Sequence, residues 1–271
     1  MIDGEMEEAT MKNAMDYGVT RLSLMPVRKE PSERSEQVTQ LLFGEHYEVL
    51  EGNDEWLRIR NSLDQYEGWI SAIQHHAVSR EYFEYSNHAE FKITTELTTS
   101  ILYNKRTQFI LLGSIIPISS SELFRMEEQF AFNGEAKNLG QKRDYEFLRS
   151  TALLYLNAPY HWGGKSPFGI DCSGFVQMVF RICGYRLDRD SIQQVRQGRP
   201  LDGIKDCQPG DVAFFSRNSG QVNHVGIVLG QEKIIHASGK VRIDTLTPDG
   251  ILNVDTGRIT HEFVQARRIL L

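Results

Sequence analysis

The chain has 271 residues, of which 40% are hydrophobic, and a formal net charge of −6. This length predicts about two domains, or three small ones, and the hydrophobic content excludes wholesale disorder. The negative charge argues against nucleic acid or an anionic membrane as the main partner. The acidic start lacks an apolar run, and "FILLGSIIPI" is too short to cross a bilayer. We therefore expect a soluble protein, cytoplasmic as written unless a leader was removed.

The first part of the sequence has the pattern of short antiparallel strands. From Tyr17 to His76, the segments "HYEVL", "WLRIR" and "EGWIS" alternate or mix apolar and polar residues and are separated by turns such as "EGND". Alternation with period two between turn residues is typical of half-buried strands, and strands this short predict a small barrel. Trp56 and Trp69 are expected in its core.

A second β-rich stretch follows from Val78 to Asn133. Its segments "EFKITTELTTSILY" and "QFILLGSIIPIS" are rich in Ile, Thr and Phe, which favour strands. The polar, glycine-marked segment from Asn133 to Arg143 is interpreted as a linker.

Helical spacing begins after this linker. "DYEFLRSTALLYLNAP" predicts a helix with Asp144 as N-cap and Pro159 as its limit. A second helix is predicted after Cys172, ending near Gly184. "DVAFFS", "HVGIVLG" and "EKIIHAS" then predict consecutive strands.

Three interpretations of Cys172 are open: a packed core residue, a metal ligand or a nucleophile. Cys183 and Cys207 are interpreted as small buried hydrophobes, and no spacing suggests a disulfide framework. Adjacent strands could place His224 and His236 side by side, facing the start of the Cys172 helix. A helix N-terminus and an imidazolium would lower the thiol pKa. His224 would then act as base and His236 as the residue that orients it.

Four segments in this order, "PYHWGGKSPFGIDCSGFVQMVF", "QPGDVAFF", "NHVGIVLG" and "KIIHASG", closely resemble the NlpC-type peptidoglycan cysteine peptidases. The resemblance implies an α+β chain whose last domain has a papain-like catalytic fold. It implies Cys172 as nucleophile, His224 as general base, His236 as orienting residue and Tyr160 near the developing oxyanion.

The segment from about Thr20 to Ala72 resembles bacterial SH3 domains. Peptidases that carry two such domains include the γ-D-glutamyl-L-diamino acid endopeptidases, which require a cell-wall stem peptide with a free L-alanine amine. The resemblance implies that Asp171, Ser173, Glu36 and Tyr66 bind this substrate. Asp171 and Ser173 have a competing role in capping the helix.

The expected order is therefore two small SH3-like β-barrels, residues 16–77 and 78–140, followed by the peptidase domain, residues 141–271. No cofactor or metal is implied, and the expected partner is a peptidoglycan stem peptide, with neither nucleic acid nor membrane. The sequence leaves open the oligomeric state and the choice between lysine and diaminopimelate. The alternatives are a module that only binds wall peptides, a thiol amidase or acyltransferase on the same fold, and a zinc protein.

Overall fold

The computed structural model describes residues 17–88, 90–117, 130–217 and 220–270. The chain divides into compact units at Met1–Leu139 and Gly140–Leu271. The predicted boundaries within the first unit stay predictions. In the part of the chain that the structure describes, no helix has the length and apolar character needed to cross a membrane.

The first unit begins with an antiparallel sheet in the order β1-β4-β5-β6-β2-β3. Its strands are β1 (Tyr17–Val19), β2 (Leu24–Arg28), β3 (Gln37–Leu42), β4 (His46–Gly52), β5 (Trp56–Asn61) and β6 (Glu67–Ser71), with a 3₁₀ turn at Ala72–Gln74. It encloses an apolar cluster of Met25, Val27, Leu41, Tyr47, Leu57, Ile59 and Ile70.

Strand β5 confirms the predicted alternation. Leu57 and Ile59 are buried, while Arg58 and Arg60 form ion pairs with Glu67 on the outer face. The expectation that Trp56 and Trp69 lie in the core is wrong, since both are only half-buried. They occupy the strand positions that alternate with the buried ones, and successive side chains of a strand point to opposite faces.

The rest of the first unit packs short strands around a second apolar cluster, formed by Phe43, Ile101, Ile110 and Ile116. Its elements are α1 (Arg80–His88), β7 (Lys92–Thr94), β8 (Thr98–Tyr103), β9 (Arg106–Leu111), β10 (Ile115–Ile116), β11 (Phe130–Phe132) and β12 (Ala136–Asn138). Sheets form in the orders β10-β7-β12 and β11-β8-β9. The predicted linker is partly wrong, because Ala136–Asn138 pairs with β7.

The second unit packs helices on an antiparallel sheet in the order β15-β21-β16-β17-β18-β19-β20. Pairing of β20 with β21 also closes this sheet on itself. Its elements are α2 (Tyr145–Leu154), β13 (Lys165–Ser166), β14 (Gly169–Ile170), α3 (Cys172–Ile182), α4 (Ser191–Gln194), β15 (Arg199–Leu201), a 3₁₀ turn at Ile204–Asp206, β16 (Val212–Ser216), β17 (His224–Gly230), β18 (Lys233–Ser238), β19 (Lys240–Thr247), β20 (Gly250–Asn253) and β21 (Arg258–Arg268).

Both predicted helices begin where the sequence predicts, at Tyr145 and at Cys172. Asp144 caps α2 by accepting a hydrogen bond from the Phe147 N–H at 3.1 Å. Helix α2 ends at Leu154, short of Pro159. Helix α3 ends just before Gly184, whose φ of 84° is a conformation that glycine adopts without strain. Every residue of α3 is buried, and the helix packs on β17 and β18, so the sheet fixes its position.

Candidate active site

The candidate nucleophile Cys172 is the first residue of α3. Asp171 is the N-cap, and its Oδ1 accepts a hydrogen bond from the Gly174 N–H at 2.7 Å while its Oδ2 accepts one from the Gly163 N–H at 2.8 Å. Only glycine fits at position 174, because a Cβ there would lie 2.4 Å from the Gly164 carbonyl oxygen. The glycine-rich loop before the helix and the glycine after the cysteine therefore hold the start of α3 in place.

A buried arginine, which the sequence analysis did not identify, fixes this helix start from the other side. The Arg189 guanidinium donates to Asp171 Oδ2 at 2.6 Å and Oδ1 at 3.0 Å, and to Ser173 Oγ at 2.9 Å. Its side chain is only 1% exposed. This paired geometry neutralises the Asp171 carboxylate, which therefore serves the cap and an internal ion pair. Asp171 and Ser173 lie beside Cys172, and their role in binding substrate stays a prediction.

The two predicted histidines come together through neighbouring strands. His224 opens β17, and His236 on β18 lies opposite Gly226 in the antiparallel register. A Cβ at Gly226 would lie 2.9 Å from the Cβ of His236, so only glycine leaves room for this ring. His224 Nε2 and His236 Nδ1 are 2.8 Å apart, which is hydrogen-bond distance.

A third member, Asp244 on β19, extends this pair. Its Oδ2 lies 3.0 Å from His236 Nε2 and also accepts a hydrogen bond from Arg242 Nε at 2.7 Å. Burial alone would raise the pKa of Asp244, but the hydrogen bonds from His236 and Arg242 outweigh it and hold that pKa well below its usual range. Asp244 is therefore an ionised, fully buried carboxylate.

This carboxylate sets the tautomers of both rings. Because an ionised carboxylate only accepts, His236 donates from Nε2, and its Nδ1 must be the acceptor for the Nε2–H of His224. His224 Nδ1 is then left unprotonated and able to take up a proton. The sequence predicts that His236 alone orients the His224 ring, whereas the structure adds Asp244, which orients His236.

The Cys172 sulfur lies beside the start of β17, where the Val225 N–H bonds to it. Burial, followed by the Asp171 carboxylate, raises the pKa of the Cys172 thiol to about 12, against the Val225 N–H and the Arg189 cation. The expectation of a thiol pKa lowered by the helix is thus wrong. Burial outweighs the helix N-terminus because the side chain is only 6% exposed and lies next to a carboxylate.

The candidate base also favours its neutral form. Burial, the largest cause, lowers the pKa of His224 well below its usual value. Burial thus favours the neutral form of both groups.

Tyr160 lies next to the strand that leads into α3. It forms a bridge to Ile170, and its N–H donates to the Gly239 carbonyl at 3.0 Å. Burial, followed by the charges of Cys172 and Asp171, raises the pKa of Tyr160, so the phenol keeps its proton and can donate. The oxyanion role of Tyr160 stays a prediction.

The remaining predicted substrate residues lie in the first unit. Glu36 is exposed and forms an ion pair with Lys29 at 3.3 Å, and Tyr66 is half-buried in the loop before β6. Their role in binding substrate stays a prediction. Among the described ranges, no group of three or more His, Cys, Asp and Glu side chains has the geometry to hold a metal ion.

Comparison with known proteins matches both parts of the chain to families. Residues 157–268 match the NlpC/P60 family, and residues 27–74 match the SH3 domain of bacterial dipeptidyl-peptidases. A γ-D-glutamyl-L-lysine dipeptidyl-peptidase of Bacillus subtilis (strain 168) is 30% identical over 234 residues, covering 77% of this chain and 76% of that protein. The dipeptidyl-peptidase 6 of Lysinibacillus sphaericus is 30% identical over 234 residues, covering 77% of this chain and 83% of that protein.

A solved structure agrees with the fold. The crystal structure of an NlpC/P60 family protein from Bacillus cereus ATCC 10987 superposes with a TM-score of 0.76 at 21% identity, covering 94% of this chain and 100% of that one. The fold and the Cys–His–His–Asp arrangement define a cysteine peptidase. The chain belongs to the NlpC/P60 family, and the predicted α+β fold, with a papain-like peptidase domain after an SH3-like barrel, is confirmed. The second predicted barrel, residues 78–140, stays a prediction.

Proposed function

We propose that this protein is a γ-D-glutamyl-L-diamino acid endopeptidase acting on cell-wall stem peptides that carry a free N-terminal L-alanine. The observation that carries the proposal is the 30% identity to two dipeptidyl-peptidases across 77% of the chain, an extent that exceeds the peptidase domain alone. The SH3 match, described as that of bacterial dipeptidyl-peptidases, supports the same substrate class.

The chemistry follows from the proton positions in the site. The Cys172 thiol transfers its proton to His224 Nδ1 as the sulfur attacks the γ-glutamyl carbonyl carbon. The developing oxyanion is stabilised by the Cys172 N–H, which has no partner within the helix because it lies in the first turn, and by the Tyr160 phenol. The carbon–nitrogen bond then breaks, and the proton on His224 passes to the leaving amine of the diamino acid.

The thioester on Cys172 is hydrolysed in a second step. His224 Nδ1 takes a proton from water, the resulting hydroxide attacks the thioester carbonyl, and the thiolate leaves and recovers the proton. The products are L-Ala-D-Glu and the diamino acid portion. Throughout, Asp244 stabilises the positive charge that His224 shares with His236.

The free amine of the substrate calls for a carboxylate, since burying an unpaired ammonium is costly. Arg189 already neutralises Asp171, so a second carboxylate is needed, and we assign this role to Glu36. We assign Tyr66 to the same substrate. A free-amine requirement suits the recycling of stem peptides that have already been released from the glycan. We propose the cytoplasm as the compartment on that basis.

The test is a comparison of four peptides by mass spectrometry of their products. L-Ala-γ-D-Glu-L-Lys, its diaminopimelate counterpart and the N-acetylated form of each are incubated with the wild-type protein and with Cys172→Ala. We expect cleavage of one or both free-amine peptides, no cleavage of the acetylated forms, and no product with Cys172→Ala. Equal cleavage of free and acetylated peptides would contradict the amine requirement, and cleavage by Cys172→Ala would contradict the mechanism.

A further inference from the structure

A further histidine, His261 on β21, packs against the catalytic base. Its ring stacks on His224 with centroids 4.0 Å apart and planes inclined by 21°. His236 meets both rings edge-on, at 5.0 Å from His224 and 6.0 Å from His261. His261 is only 1% exposed and takes no part in the hydrogen-bond chain that runs from His224 to Asp244. It covers one face of the base ring.

The hydrogen bonds of His261 fix its tautomer. Arg217 Nε–H donates to His261 Nε2 at 3.1 Å, so Nε2 carries no proton. Thr260 Oγ1 lies 2.9 Å from His261 Nδ1 and donates its own proton to the Ile251 carbonyl, so it accepts from Nδ1–H. Both ring nitrogens are occupied, and the ring is held neutral between a cation and a hydroxyl.

The charged and titratable groups around His261 support this neutral state. Arg217 approaches from the end of β16, His224 from β17, His236 from β18 and Asp244 from β19. Burial, followed by Arg217 and His236, lowers the pKa of His261 to about 4, against the effect of the Asp244 carboxylate.

We propose that His261 is a positioning residue of the active site, whose neutral ring face backs His224 and stabilises the imidazolium that forms when Cys172 transfers its proton. A neutral aromatic face attracts a cation placed over it, whereas a protonated ring would repel it. Arg217 keeps His261 neutral: because its Nε–H donates to His261 Nε2, that nitrogen cannot take up the proton that Cys172 transfers to His224. The inference rests on the proposed function only through the Cys172–His224 proton transfer.

The first test measures alkylation of Cys172 by iodoacetamide between pH 5 and 9, with the modified peptide quantified by mass spectrometry to separate it from Cys183 and Cys207. This readout needs no peptide substrate, so it stays informative if the proposed substrate is wrong. We expect His261→Leu, which fills similar space without an aromatic face, to slow Cys172 alkylation at pH 7 about tenfold. His261→Phe should restore the rate to within about threefold of wild type. Phe263→Leu, the same loss of a ring two positions along β21, is the matched control and should stay within about twofold.

A role limited to filling space makes a different prediction, in which Leu and Phe at position 261 behave alike. Equal rates for these two variants, or a His261→Leu rate equal to wild type, would overturn the proposal. Thermal unfolding of each variant identifies rate changes that come from loss of the fold.

The second test concerns Arg217. In Arg217→Met the donor to His261 Nε2 is lost, so His261 should titrate closer to its ordinary range, and Cys172 alkylation should acquire an additional fall below about pH 6.5. The double variant Arg217→Met with His261→Phe should lack this fall, because no imidazole remains to titrate there. An Arg217→Met profile parallel to wild type would overturn the assignment of Arg217.

Discussion

His75 in the first unit and His224 in the second have different surroundings, and His75 is half-buried whereas His224 is buried. In the first unit, His75 Nδ1 lies 3.1 Å from the Tyr47 hydroxyl, and His75 Nε2 is buried with no hydrogen-bond partner among the described residues. Burial lowers the pKa of His75 and raises that of Tyr47, so both groups are neutral. In the second unit, His224 is followed by His236 and then by an ionised carboxylate.

The difference shows what makes a buried imidazole useful for catalysis. The hydrogen bond between Tyr47 and His75 joins two neutral groups. It does not fix which nitrogen of the imidazole is basic. The hydrogen bonds from His224 through His236 to Asp244 determine which nitrogen of each imidazole carries the proton. They leave His224 Nδ1 able to accept a proton. The same residue type thus contributes to the fold in one unit, and in the other we propose that it prepares proton transfer.

The largest expected effect separates these two histidines. His224→Ala should lower kcat/KM for the cleaved stem peptide by at least about 10³-fold, because the base is lost. His75→Ala should leave kcat/KM within about threefold and lower the free energy of unfolding by about 1 kcal/mol through its lost hydrogen bond. Steady-state kinetics and urea unfolding measure both, and a comparable loss of activity in the two variants would remove the distinction.

The next prediction concerns Asp244, the carboxylate at the end of the hydrogen-bond chain that starts at His224. Asp244→Asn should lower kcat roughly 10²- to 10³-fold, since an amide NH₂ facing His236 Nε2 favours the wrong tautomer on both rings. Asp255→Asn is the matched control: Asp255 is exposed, accepts from Arg242 Nη2, which also donates to Asp244, and does not contact His236, so kcat of this variant should change less than about threefold. Should Asp244→Asn retain wild-type kcat, the carboxylate would have no part in setting the tautomers.

Ion pairs in the two units provide a stability comparison. Arg189→Met leaves the buried Asp171 carboxylate unpaired and should lower the free energy of unfolding by about 3–5 kcal/mol. Arg58→Met removes the exposed pairs with Glu51 and Glu67 in the first unit and should have a much smaller effect, because solvent screens exposed ion pairs. Denaturant unfolding of both variants measures the difference, and similar costs would show that Asp171 is not held by Arg189.

The smallest effect is a pH dependence. The folded-state pKa of His261 is about 4, below the 6.5 of an unperturbed histidine. Its contribution to stability is therefore fully present above pH 6.5 and is lost as the pH falls toward 4.

Unfolding at pH 7.5, 6, 5 and 4.5 should show the second unit losing stability, with a shallower loss in His261→Phe. Trp162 lies in the second unit and Trp56 and Trp69 in the first, so single-tryptophan variants report on the units separately. A loss equally steep in His261→Phe would assign the acid sensitivity to other groups.

Local patterns in the sequence were sufficient for strands β4, β5 and β6 of the first sheet, the two helices and the pairing of the "HVGIVLG" and "KIIHAS" strands. Hydrophobic period and capping residues act over a few positions and are visible in one segment. The same local logic placed His224 and His236 together, because consecutive strands of an antiparallel sheet are usually neighbours.

Residues that act across the fold were missed. Asp244 stands in "RIDTL" as an ordinary alternating position, and its value comes from the register that brings β19 beside β18. His261 and Arg189 meet the site only through the closure of the sheet and the turn after α3. The prediction of a lowered Cys172 pKa was wrong for the same reason. The helix N-terminus is visible in the sequence, whereas the depth of burial that outweighs it depends on how the whole unit packs.

The high pKa of Cys172 has a consequence for the chemical lifetime of the protein. Oxidation of cysteine by peroxides follows thiolate character and exposure, and this sulfur has little of either before a substrate binds. The resting protein therefore keeps its sulfur in a form that common oxidants attack slowly.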